Sequence, residues 1–96
     1  MTIVQVVVLL WSLAVTIDVP AHPSNVEVSV VLTPERKDRA DLWKTQTLEG
    51  AGGRFVAAWP DLEPGAYAVS VVLVTVVDGE LVQQWFVGGR HVIEGE

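Results

Sequence analysis

Alternation with a period of two dominates the chain, and the alternating runs are dense in residues branched at Cβ. The longest spans residues 67–77. Tyr67, Val69, Val71, Leu73, Thr75 and Val77 fall on one face, and Ala68, Ser70, Val72, Val74 and Val76 on the other. Branching at Cβ narrows χ1 and suits a pleated surface better than a helix, so this run predicts a strand. Its first half sets large residues against small or polar ones, as a strand with one buried face should. Its second half is apolar on both faces and needs cover on both. Asp78-Gly79 follows, a pair that reaches positive φ at low cost and so predicts a tight hairpin turn. Residues 81–87 are the returning strand. Gly88-Gly89 breaks it, and residues 90–93 continue it past a bulge.

The same reading extends along the chain. Val15, Ile17 and Val19 face a core, with Thr16 and Asp18 outward. Two prolines and a Ser-Asn pair make residues 20–25 a loop. Val26, Val28, Val30 and Leu32 form the next inward set, with Glu27 and Ser29 outward, and Thr33-Pro34 ends the run. Residues 35–41 set three basic residues beside three acids and read as a solvated loop with room for one helical turn. Residues 42–48 predict a short strand in which Leu42, Lys44, Gln46 and Leu48 alternate with Trp43, Thr45 and Thr47. A glycine-rich turn over 49–53 leads into a strand over 54–59, with Phe55, Ala57 and Trp59 on one face.

Residues 1–17 carry no charge. A secretory leader starts with basic residues, and none precedes Arg36. A membrane helix would be near its lower limit of length and is interrupted by Gln5, Ser12 and Thr16. Strands fit better, because β-branching is dense and Val4, Val6 and Val8 alternate with Gln5, Val7 and Leu9. No Gly or Pro marks a turn near Trp11-Ser12, which leaves two strands or one strand that switches sheets. Residues 1–11 are also a segment that a neighbouring copy could accept as a swapped or donated strand.

The stretch Leu62-x-Pro64-Gly65-x-Tyr67-x-Val69-x-Val71 resembles a corner of fibronectin type III and related immunoglobulin-like domains. There the Tyr hydroxyl hydrogen-bonds back to nearby backbone. Residues 12–20, followed by Pro23 and an alternating strand, resemble the second strand of that family and the loop after it. The resemblance covers residues 12–90. The same Pro-Gly-x-Tyr corner occurs in transthyretin-like and collagen-adhesin-B-like sandwiches, and Ile17 and Asp18 stand where the fibronectin pattern has a Trp. The resemblance implies an all-β fold: a seven-stranded, antiparallel immunoglobulin/fibronectin-III-like sandwich. At 96 residues, near the usual size of such a sandwich, residues 1–96 read as a single domain. Fold alone does not assign function.

Composition narrows the function classes. Twelve acids against six bases leave a net charge of −6, which argues against nucleic acid as partner, since phosphate contacts need a basic face. With no cysteine, disulfides, thiolate metal sites and cysteine nucleophiles are excluded, and the redox compartment stays open. An extracellular, virion or cell-surface setting fits without being decided.

Chemistry is sparse. The two histidines, His22 and His91, have no second histidine at metal-ligand spacing and no nucleophile elbow, so both are expected to be exposed polar residues. Asp61-x-Glu63 and Asp78-x-Glu80 are turn acids at opposite ends of a sandwich and cannot share an ion. There is no phosphate-cradling glycine motif followed by a helix. No catalytic residue, metal site or cofactor is expected, and the protein reads as a non-enzyme.

The informative feature is apolar residues on faces that a two-layer domain leaves wet. Val4, Val6, Val8 and Leu10 lie opposite Ile3, Val7 and Leu9, and Val72, Val74 and Val76 lie opposite Val71, Leu73 and Val77. Burying one such side chain is worth about 1.5–3 kcal/mol. Val4, Val6, Val8, Leu10, Val72, Val74 and Val76 are therefore expected to be covered by another protein subunit, foremost a second copy of this chain. An assembly, filament or virion-type subunit fits that expectation. The alternative is a ligand-binding accessory domain, with a glycan stacked on exposed Trp43 or Trp85.

Overall fold

Two antiparallel sheets face each other in the computed structural model, which describes residues 2–9, 11–20, 25–36, 38 and 40–94. The strands are β1 (Ile3–Leu9), β2 (Ser12–Val19), β3 (Val26–Pro34), β4 (Lys44–Gly50), β5 (Gly53–Trp59), β6 (Gly65–Val77) and β7 (Glu80–Ile93). One sheet has the order β1-β2-β5 and the other β4-β3-β6-β7. The fold is thus an all-β sandwich of three strands against four.

The period-two pattern explains which side of each strand is dry. Leu13, Val15, Ile17 and Val19 of β2 face Val26, Val28, Val30 and Leu32 of β3 across the core. Phe55, Ala57 and Trp59 of β5 close one side, and Tyr67, Val69, Val71 and Leu73 of β6 fill the centre. Among the described residues no polar or charged side chain is buried, so cohesion here is hydrophobic and dispersive. Leu42 departs from the predicted strand. It belongs to a short 3-10 turn, Ala40–Leu42, and is buried there, while β4 begins at Lys44.

The uncharged amino-terminal run forms a hairpin. Leu9 pairs with Ser12, and Trp11 carries the reversal at φ 65°, a region that costs a bulky L-residue about 1–2 kcal/mol. The Trp11 carbonyl accepts the Leu62 backbone N–H at 2.7 Å, which ties this turn to the corner before β6. Among the described residues no helix is long and apolar enough to cross a membrane.

At that corner the Tyr67 hydroxyl donates to the Glu63 carbonyl at 2.7 Å, with the ring buried beneath. From there β6 and β7 run as a long hairpin, closed by Asp78 (φ 52°) and Gly79 (φ 81°), with Val77 opposite Glu80. A bulge interrupts β7 where Val69 pairs with Gly89 but Ser70 pairs with Val87. The extra residue, Gly88, lets β7 continue to the buried Ile93.

Candidate interaction surface

Strand register places the outward side chains of the four-stranded sheet in rows. Thr45, Val31, Ser70 and Val87 form one row; Thr47, Ser29, Val72 and Trp85 the next; then Glu49, Glu27, Val74 and Gln83. Val76 and Leu81 form a last pair on the hairpin alone. All the polar members but Ser70 and Gln83 lie on β3 and β4, where Ser29 and Thr47 hydroxyls share a hydrogen bond at 3.1 Å. All the apolar members but Val31 lie on β6 and β7. Leu81 is 75% exposed, Trp85 68% and Val87 85%. With Val72, Val74 and Val76 of β6 beside them they make an apolar patch, broken on β7 only by Gln83, and such a patch marks an interaction site more often than scattered single residues do.

The two flanks of the sandwich differ. Along β4 and β5 the edges are polar. Gln46 donates from its side-chain amide to the Ala58 carbonyl at 2.7 Å and bridges the sheets, and Arg54 pairs with Asp18 at 3.0 Å. Along β1 and β7 no charge occurs from Ile3 to Leu9 or from Leu81 to Val87. Charges on an edge strand discourage pairing with another chain, and this flank lacks them.

The expected contact residues divide between the two faces. Val4, Val6 and Val8 are half-buried and turn inward, opposite Ile17, Val15 and Leu13, where they pack on the core of their own protomer. The outward set of β1 is Ile3, Val7 and Leu9. β1 also pairs along its whole length with β2 of the same chain. Leu10 and His22 lie outside the described residues. Val72 and Val74 face outward but are half-covered by neighbours, and Val76 is exposed. Leu81 and Val87 were not singled out from the sequence. The signal was present in the Asp78-Gly79 turn, since closing the hairpin at Val77 and Glu80 puts Leu81, Trp85 and Val87 on the face of Val76 and Val72.

Trp43 is 55% exposed at the rim of a cleft with Thr33, Pro34, Glu35 and Ala68. Trp43 stands beside β4 and Trp85 on β7, three strand spacings apart. Offset by two residue rows along the strands as well, they are on the order of 20 Å apart and cannot clasp one sugar ring.

Titratable groups are few on this face. The Arg90 guanidinium donates to the Glu35 carboxylate, and that hydrogen bond and the opposite charge hold its pKa above the ordinary arginine value. His91 was expected to be exposed. It is half-buried, with Nε2 2.6 Å from the Gly88 carbonyl across the bulge, an arrangement in which Nε2–H donates. Among the described residues no group of three His, Cys, Asp or Glu side chains is placed to hold a metal ion. Asp61 and Glu63 sit before β6 and Asp78 and Glu80 at its far end, so these acids remain apart by the length of a 13-residue strand.

No family model, curated protein or solved structure matches the chain.

Proposed function

We propose that this protein is a non-catalytic interaction module that self-associates through the β6–β7 hairpin. The observation that carries the reading is the exposure of Leu81, Trp85 and Val87 beside Val76, on one side of a hairpin free of charge between Glu80 and Arg90. Covering such side chains is the main gain available to an associating surface. The amino-terminal strand is less suited to donation, because it is paired at home and its inward valines pack on the core. Light scattering coupled to size exclusion tests the proposal: an oligomer at micromolar concentration is expected, and a strict monomer would refute it.

A fibronectin-type-III-like membership accompanies this reading. It is supported by the strand order β1-β2-β5 against β4-β3-β6-β7 and by the Tyr67–Glu63 bond at the corner. Modules of that kind serve many partners, so the membership does not itself choose one.

A second reading, glycan binding, is favoured by one observation: Trp43 is open beside the Glu35 cleft. Its test is tryptophan fluorescence against a glycan panel, with Trp43→Ala as control. An unchanged spectrum throughout removes it.

A further inference from the structure

We propose that a second copy of this chain docks on the free edge of β7, the two β7 strands running antiparallel about a two-fold axis at Gln84, so that two four-stranded sheets join into one of eight. This rests on the self-association reading and gives its geometry.

The first argument concerns backbone groups. Asp78 and Gly79 both have positive φ and form a two-residue turn closed by Val77 and Glu80. The closing pair of such a turn exchanges backbone hydrogen bonds, and in an antiparallel ladder bonded and non-bonded pairs then alternate. Glu80, Val82, Gln84 and Phe86 therefore direct N–H and C=O toward β6. Leu81, Gln83, Trp85 and Val87 direct theirs to the other side, where, among the described residues, the sheet has no further strand. A row of unmet donors and acceptors is a template for another strand.

The second argument concerns register. Pairing about Gln84 sets Leu81 against the partner's Val87, Val82 against the partner's Phe86, and Gln83 against the partner's Trp85. Every residue of the uncharged span 81–87 then meets another member of that span, on both faces. The residues that would bond across the axis are the four with free backbone groups. Moving the axis to Gln83 sets Glu80 against the partner's Phe86; moving it to Trp85 runs Leu81 and Val82 onto the partner's glycine bulge. In the Gln84 register the tip acid Asp78 runs instead toward the partner's Arg90, the basic residue beyond that bulge. Opposite charges thus flank an uncharged centre, Arg90 keeping its own Glu35 beside it.

The third argument is side-chain cover along the seam. Leu81, Trp85 and Val87 of the edge strand are exposed by 75, 68 and 85%. A second β7 at strand spacing sets the partner's Val87, Gln83 and Leu81 directly beside them, within cross-strand contact distance.

The chain has no cysteine, so one introduced thiol reports cleanly. Gln84 is exposed, and as a non-hydrogen-bonded pair at the two-fold its Cα would lie about 4.5 Å from its own mate, within disulfide reach. Gln83→Cys faces the partner's Trp85 and serves as control. The native chain should associate at micromolar concentration, and mild oxidation should give at least tenfold more covalent dimer from Gln84→Cys than from Gln83→Cys. If the native chain associates but the two variants cross-link alike, the edge geometry is overturned while self-association stands. If the native chain is monomeric, both readings fall.

Discussion

Gly88 lies so close to Val69 that a Cβ built on it would meet Val69 Cγ1 at 2.6 Å and Val69 Cβ at 2.9 Å. Val69 is buried at the centre of β6 and has nowhere to move. The bulge in β7 is therefore seated on the core, and only a residue without a side chain fits. Gly88→Ala should destabilise the fold by about 1–3 kcal/mol, the usual cost of overpacking a filled interior. Urea denaturation measures this, and an unchanged midpoint would show that the bulge can shift.

Tyr67→Phe keeps the buried ring and removes the donor to the Glu63 carbonyl. The loss should be about 1 kcal/mol, which for a domain of this size lowers Tm by about 4–8 °C. The corner also anchors Leu62 to the Trp11 carbonyl, so amide exchange at Leu62 should speed up in the same variant. Wild-type exchange at Leu62 would mean that the two ties are independent.

Trp85→Ala should separate association from stability. The ring is largely exposed, so the midpoint of unfolding should move by no more than about 0.5 kcal/mol. Self-association should weaken by tenfold or more, since exposed aromatic anchors dominate such contacts. Val30→Ala, at a fully buried site, should do the reverse, with a clear loss of stability.

Removing residues 1–9 should unfold the protein. Val4, Val6 and Val8 pack on the core, and without β1 the edge of β2 is stripped of its partner. Losing that cover costs several kcal/mol, a large share of the 5–15 kcal/mol that holds a small domain together. A cooperative thermal transition in the truncated chain, near that of the full chain, would contradict this.

Much of the architecture is legible along the chain. Alternation identifies the strands, the Asp78-Gly79 pair marks the hairpin, and the Pro64-Gly65-x-Tyr67 stretch marks the corner. These signals are local: side-chain branching, accessible φ and a bond between residues four apart need no distant partner. The core sets on β2, β3, β5 and the first half of β6 follow from the same alternation.

What alternation does not contain is the choice between two equally apolar faces. Val4, Val6 and Val8 could have faced solvent as readily as Ile3, Val7 and Leu9, and the pairing with β2 over a core decided it. The turn at Trp11 has no glycine or proline to announce it; it is held by a bond to Leu62, some fifty positions away in sequence. His91 became a partner of the Gly88 carbonyl because the bulge brought them together. The sequence by itself determined which residues share a side of a strand, because that depends only on a two-residue repeat. Tertiary structure alone decided which side is dry and which edge is left open, because burial and hydrogen-bond partners come from strands remote along the chain.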